Sequence, residues 1–286
     1  MTARIGILGG SGLYDMPGLA GREERTVATP FGPPSDAYVL GELAGAPVAF
    51  LARHGRGHRI SPSEIPYRAN VYGFKTLGCD AVLSASAVGS LREELAPSHV
   101  CVPDQFIDRT RSRADTFFRD GIVAHVSLAD PVCPAVSGVL AESARSAGAV
   151  VHEGGTYVCM EGPPFSTRAE SNLYRSWGAS VIGMTNLTEA KLSREAEMCY
   201  ATMALVTDYD CWREATEDVS VDAVLAVLRG NAEMAQRALL AAVARIDPAR
   251  RCGCRDALRY AVVTDPARVP ERVRADLAPI LGGRLR

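Results

Sequence analysis

The 286-residue chain lacks any run of about 18 apolar residues, the length that a membrane-spanning helix requires. No transmembrane segment is therefore expected. Lysine is nearly absent: only Lys75 and Lys191 stand among the 31 basic residues, and 33 acids offset these for a net charge of −2. With no bulk positive charge to neutralise a phosphate backbone, nucleic-acid binding is set aside. The N-terminus shows neither the apolar stretch nor the cleavage site of a secretory signal. There is no G-x-G-x-x-G and no G-x-x-x-x-G-K-[ST], so the dinucleotide and P-loop fingerprints are missing. The eight cysteines lie singly at 79, 101, 133, 159, 199 and 211, with a last pair in Cys252-Gly253-Cys254. None has the paired C-x-x-C spacing of a zinc site. The expectation is a reduced, cytoplasmic protein without metal or organic cofactor, in which Cys252 and Cys254 are solvent-exposed bystanders.

What is present reads as a packed globular chain, 47% apolar and 22% charged, within the usual range for such proteins. Short apolar runs read as strands over residues 4–9, 37–43, 47–52, 81–86, 99–103, 156–161, 180–184 and 201–206. Helical patterns cover 67–77, 133–147, 189–197 and 221–244, and Ser166 or Thr167 can cap a further helix whose first turn holds Glu170. This alternation argues an α/β fold, a single domain with a central mixed or parallel sheet flanked by helices over 1–245. An Arg-rich extension, helical or loose, follows at 246–286.

In open α/β sheets, ligands sit beyond the carboxyl ends of strands, and five of these ends carry suitable chemistry. Gly10-Ser11-Gly12 offers backbone N–H groups as an anion nest. Arg53-His54-Gly55-Arg56-Gly57-His58-Arg59 packs three arginines and two histidines into seven residues, a strong local positive potential. Ser86-Ala87 and Met184-Thr185 supply small residues and hydroxyls. The run 201–206 enters Thr207-Asp208-Tyr209-Asp210, whose acids at i and i+2 can meet one planar ligand. An arginine fork, hydroxyls and N–H groups suit an oxyanion such as phosphate. The acids do the opposite and accept from a ligand rich in N–H donors. A phosphate half beside a donor-reading half points to phosphorolysis or phosphoryl chemistry on a nitrogenous base. Without a metal or Walker signature, inorganic phosphate as nucleophile is the economical choice.

The blocks Leu8-Gly-Gly-Ser-Gly-Leu, Thr29-Pro-Phe-Gly, Arg53-His-Gly-Arg-Gly-His, Pro66-Tyr-Arg-Ala-Asn, Ala87-Val-Gly-Ser-Leu, Glu161-Gly-Pro, Phe165-Ser-Thr-Arg, Gly183-Met-Thr-Asn and Thr207-Asp-Tyr-Asp-Cys-Trp resemble the 5′-methylthioadenosine phosphorylases of the trimeric purine nucleoside phosphorylase family. The resemblance runs in order from residue 4 to about 245. It implies a phosphate site at Ser11, Arg53, His54, Ser86, Ala87 and Thr185, with Ser11 and Ser86 where relatives often have threonine. Met184 matches the residue under the ribose, Phe165 the wall beside the base, and Thr207, Asp208 and Asp210 the purine-reading segment. His125, Val221, Val224 and Leu225 match the pocket for the 5′ end, with His125 coming from a neighbouring subunit of a homotrimer. Asp at these purine-reading positions implies a 6-amino base, where readers of 6-oxopurines place Asn. Pro164 stands where relatives commonly carry Arg, and Val88 where they commonly carry Cys.

Breaking an N-glycosidic bond passes through an oxocarbenium-like centre, which bound phosphate both stabilises and attacks. Asp208, desolvated and close to Asp210, is the expected holder of a proton for the leaving purine. An apolar 5′ wall favours methylthio over hydroxyl but separates small apolar groups poorly. Other 5′-deoxyadenosines, including halogenated ones, remain alternatives, as do a 6-oxopurine phosphorylase, a hydrolytic nucleosidase and a non-catalytic nucleoside sensor. His58 and His152 read as structural histidines.

Overall fold

Strand β5 (Ala81–Ser90) is the spine of the molecule, because three neighbours share its two edges. The computed structural model describes residues 4–10, 12–13, 15–213 and 221–285, with 221–226 described by backbone alone. In chain order the elements begin with strands β1 (Ile5–Gly9), β2 (Ala20–Arg25), β3 (Tyr38–Leu43) and β4 (Ala46–Ala52), then helix α1 (Tyr67–Thr76) and β5. Next come β6 (Val100–Val102), β7 (Gln105–Arg109), α2 (Pro134–Ser146), β8 (Val151–Glu153), β9 (Thr156–Met160) and α3 (Arg168–Ser176). The chain closes with β10 (Val181–Gly183), α4 (Asn186–Glu195), β11 (Cys199–Asp208), α5 (Val221–Arg245), α6 (Glu271–Asp276) and α7 (Ala278–Leu281).

The first half of β5 pairs in parallel with β1, which in turn is parallel to β4. Its last two residues pair antiparallel with β10, Ser90 opposite Val181 and Gly89 opposite Ile182. Along its other edge β5 runs parallel to β11 for its whole length. The sheet thus forks at residues 86–89 of β5, and the carboxyl ends of β1, β4, β5 and β11 all open towards that fork. The antiparallel register of β10, continued by three residues, delivers Thr185 beside Ser86. The predicted mixed sheet flanked by helices is what the chain forms.

Boundaries moved by a few residues, and three strands escaped the sequence reading. Strand β2 is Ala-Gly-Arg-Glu-Glu-Arg with mostly exposed side chains, an edge with no apolar alternation to reveal it. Strand β7 lies inside a passage that read as irregular, and β8 is three residues long. The cap of α3 is as expected: Thr167 and Glu170 form a reciprocal capping box.

The segment after α5 is not loose. Leu258, Ala261, Val269, Leu277, Ile280 and Leu281 are all buried in one apolar cluster with Phe74, Val82 and Tyr200. Cys254 is also buried, and Cys252 only half-exposed, which overturns the reading of this pair as exposed bystanders. Among the described residues no helix is long and apolar enough to cross a membrane.

Helix α1 lies against β3 through one close contact. The Tyr38 hydroxyl donates to the Asn70 carbonyl at 2.7 Å, and a Cβ built on Gly73 would sit 2.1 Å from that hydroxyl oxygen. Alanine is favoured over glycine in a helix by about 1 kcal/mol, but overpacking a core costs about 1–3 kcal/mol. Gly73→Ala is therefore expected to destabilise the fold by about 1–3 kcal/mol in urea titrations. Gly138 of α2, where an added methyl would have nothing within 4 Å, makes the contrast: Gly138→Ala is expected to be neutral or stabilising by up to about 1 kcal/mol. Equal effects at the two positions would contradict this packing.

Candidate functional site

The fork of β5 encloses a cavity of about 430 Å³, a size typical of small-molecule sites. Four of the five strand ends singled out in the sequence meet there. Arg53 and His54 arrive from β4, Ser86 and Ala87 from β5, Met184 and Thr185 from β10, and Thr207, Asp208 and Asp210 from β11. Phe165 lines the same cavity and is 84% exposed. Of the fifth end, Ser11 lies outside the described residues. Val221, Val224 and Leu225 fall on α5, where only backbone is described. Leu228, on the same helical face one turn on, does line the cavity. His125 is exposed, hydrogen-bonded through its backbone to Ala261, and is not part of this chain's cavity wall.

The basic loop after β4 is far less positive than its composition suggests. Arg56 turns away to pair with Glu24 at 2.7 Å and Asp36 at 2.8 Å. Arg59 donates to the Ser35 carbonyl. Arg53 is 1% exposed and ion-paired through Nε with Glu189 of α4, itself 1% exposed. Its Nη1 donates to the Ala85 carbonyl at 3.0 Å and its Nη2 to the Ser84 hydroxyl at 2.6 Å. Gly10 gives this guanidinium room, since a Cβ there would lie 2.6 Å from Nη1.

Glu189, which sequence reasoning passed over, is the hub beneath the cavity. It also accepts from Tyr200 Oη at 2.7 Å, Ser84 Oγ at 2.9 Å and Asn186 Nδ2 at 3.1 Å. Asn186 in turn accepts from the Ser86 hydroxyl at 2.6 Å. Thr185 is the N-cap residue of α4 without using its side chain to cap it. This end of the cavity thus offers a helix N-terminus, a threonine hydroxyl without a hydrogen bond among the described residues, and an Arg53 whose charge is paired. Helix N-termini bind anions through their free N–H groups and macrodipole.

His54 completes that end. Its Nδ1 lies 2.8 Å from the Ile60 carbonyl, so Nδ1 carries the hydrogen and, in the neutral ring, Nε2 is an acceptor. Burial, then the neighbouring Arg53 charge, push its pKa down to about 4. His58, expected to be structural, stacks on His54 at 4.2 Å and lines the cavity. His152 instead packs on His99, 3.1 Å between ring nitrogens, away from the site.

At the opposite end the exposures of the two acids differ from expectation. Asp208 is exposed, not desolvated, and both its oxygens are used: Oδ2 by the Thr207 hydroxyl at 2.7 Å, Oδ1 by the Asp210 backbone N–H at 2.8 Å. Asp210 is half-buried, and its Oδ2 is closed to solvent and without a hydrogen bond of good geometry among the described residues. Burial raises its pKa, opposed by the nearby Ser171 hydroxyl and Cys211 backbone N–H, and the Asp208 charge adds to the rise. Its φ of +50° places it in the left-handed region, a conformation that Asp tolerates and that clusters at functional sites. A register shift between Val206 and Asp208 aims the pair, as bulges beside active sites do.

The chain is similar to known proteins over nearly its whole length. The family model described as the phosphorylase superfamily matches residues 4–244. The S-methyl-5′-thioadenosine phosphorylase of Geobacter sulfurreducens is 58% identical over 99% of each chain. The enzyme of the same name from Koribacter versatilis is 57% identical over 99% of this chain and 97% of its own. Among solved structures, a methylthioadenosine phosphorylase from an antarctic soil metagenomic library superimposes with a TM-score of 0.94 at 50% identity, covering 98% of this chain and all of that one. The Schistosoma mansoni methylthioadenosine phosphorylase in complex with tubercidin gives 0.81 at 35% identity, with 98% of each chain covered. These matches include the segment after residue 245, for which no resemblance was visible in the motifs.

The depressed His54 pKa has a thermodynamic consequence. Above its ordinary value of 6.5 the imidazole is neutral in both folded and unfolded chains. As pH falls from 6.5 towards about 4, the unfolded chain takes up a proton that the folded one refuses. Stability present above that window is lost within it, by about 3 kcal/mol. Denaturation of the wild type and His54→Gln from pH 7 down to pH 4 checks this. The difference between them is expected to shrink as pH falls; parallel curves would contradict it.

Proposed function

Because the chain belongs to the phosphorylase superfamily, we propose that it is a 5′-methylthioadenosine phosphorylase. It converts 5′-methylthioadenosine and inorganic phosphate to adenine and 5-methylthioribose 1-phosphate. One observation carries the assignment of ends: Asp210, half-buried and with its pKa raised by burial, lines the same cavity as the Thr185, Ser86 and His54 end. A 6-amino group on the base donates to this carboxyl. A carbonyl at the same place would set lone pair against lone pair, which a buried acceptor strongly penalises.

In this reading phosphate sits at the N-terminus of α4, against Thr185 and the Ala87 backbone, with Arg53 below. Neutral His54 accepts from a phosphate hydroxyl through Nε2. A phosphate oxygen attacks C1′ as the bond to N9 breaks, and the charge developing on the ribosyl centre faces the phosphate. The leaving adenine takes a proton at N7. Asp210, whose pKa is raised, is the carboxyl suited to hold that proton, while its other oxygen accepts from the 6-amino group. Asp208 positions it through the Asp210 backbone N–H. Met184 lies under the ribose and Phe165 beside the base. The 5′ end points to Leu228 and the face of α5 that carries Val221, Val224 and Leu225, where an apolar wall favours methylthio over hydroxyl. No cofactor takes part, phosphate being a co-substrate.

A homotrimer suits both the exposure of Phe165 and the position of His125, which reaches a neighbouring copy's site rather than its own. The cytoplasm is the proposed location.

Adenine release from 5′-methylthioadenosine, with inosine as comparator, tests the assignment. Release that requires phosphate and is absent with inosine is expected; phosphate-independent release would make the protein a nucleosidase. Asp210→Asn is expected to lower activity on the adenine substrate by about 10²-fold, the lower end of what general acid catalysis supplies. The variant is also expected to gain measurable inosine cleavage. An unchanged base preference would sink the assignment of Asp210.

A further inference from the structure

Far from the cavity, four cysteines from separate parts of the chain converge on one point. Cys133 is the N-cap residue of α2, Cys199 is the first residue of β11, and Cys252 and Cys254 come from the segment after α5. Their sulfur atoms all lie within 4.8 Å of one another, with Cys199 and Cys252 at 3.3 Å. Three of the four residues are buried. Four thiolates around a zinc ion at a Zn–S distance of about 2.3 Å place their sulfurs about 3.8 Å apart. We propose that Cys133, Cys199, Cys252 and Cys254 form a tetrathiolate site for one zinc ion, which fastens the C-terminal segment to the sheet.

The surroundings are those of a thiolate rather than a disulfide. Arg250, 9% exposed, directs Nε–H at Cys199 Sγ from 3.4 Å, while its Nη2 is anchored on Asp80 at 2.7 Å. Cys133 stands at the start of a 13-residue helix, where free N–H groups and the macrodipole favour negative charge. Two disulfides would be neutral and would need neither. A set of four thiolates selects zinc among the common divalent ions, ahead of magnesium and calcium, which take oxygen ligands. The ligands were invisible as a C-x-x-C pattern because three separate elements contribute them. Binding replaces thiol protons by four Zn–S bonds and releases those protons to solvent, with no change of oxidation state.

Metal analysis of the purified wild-type chain, expressed with zinc in the medium and desalted without chelator, tests this directly. About one zinc per chain is expected, with all four thiols protected from alkylation until a chelator is added. Replacement by cobalt is expected to give the visible d–d bands and near-ultraviolet charge-transfer bands of a tetrahedral sulfur site. Cys252→Ser, at the half-exposed position, is expected to weaken cobalt binding by more than about tenfold, since losing even an outer-shell partner costs that much. Removing the zinc is expected to lower the melting temperature. Zinc far below one per chain, iron in its place, or disulfides between these cysteines in the non-reduced protein would each overturn the proposal.

Discussion

The buried pair of Arg53 and Glu189 is the interaction on which the site depends. Each side chain is 1% exposed, and taking two charges out of water costs several kcal/mol per ion. That cost is recovered only when every remaining donor and acceptor is satisfied, which Ser84, Asn186, Tyr200 and the Ala85 carbonyl do. The pair joins the end of β4 to helix α4 across β5. It thereby fixes the N-terminus of α4 against Ser86, which donates to Asn186. Charge is locked in place but nearly neutralised, so on the proposed reading phosphate is held mainly by dipoles aimed in advance. Such preorganised groups are the ones that act on developing charge without reorganising.

The fork in the sheet explains why two opposite chemistries fit in one cavity. Along β5 the neighbour on one edge changes from β1 to β10, while β11 runs the length of the other. The first change brings in Thr185 and the α4 N-terminus; β11 brings in Asp208 and Asp210 beyond its bulge. A continuous parallel sheet would line up its strand ends in one row, with nothing to bring a helix N-terminus in from the opposite direction. On the proposed reading, base recognition and phosphate binding are separated by the topology itself.

Much of this was legible in the sequence because the strands are short apolar runs that end abruptly in residues able to bind a ligand. Arg53-His54, Ser86-Ala87, Met184-Thr185 and Asp208-x-Asp210 could be found by that rule and meet as the rule requires. What burial decides was not legible. Glu189 read as the start of a helix and Asn186 as part of the turn before it, yet both are sealed under the cavity. Asp208 and Asp210 look equivalent in the chain, and only the local path of the backbone leaves one exposed and the other half-buried with a spare oxygen. Arg56 looked like part of the anion site until Glu24 and Asp36, both far from it in sequence, claimed it. The cysteine cluster was hidden for a related reason, since sequence spacing says nothing when ligands are gathered by tertiary packing.

The central claim is that the phosphate end of the cavity delivers a nucleophile to C1′ of a nucleoside whose base Asp210 holds. The most direct measurement is the fate of isotopically labelled phosphate during cleavage of 5′-methylthioadenosine. The account predicts that label appears on C1 of the sugar, as 5-methylthioribose 1-phosphate, in step with each adenine released. Free, unlabelled 5-methylthioribose as the sugar product would contradict it.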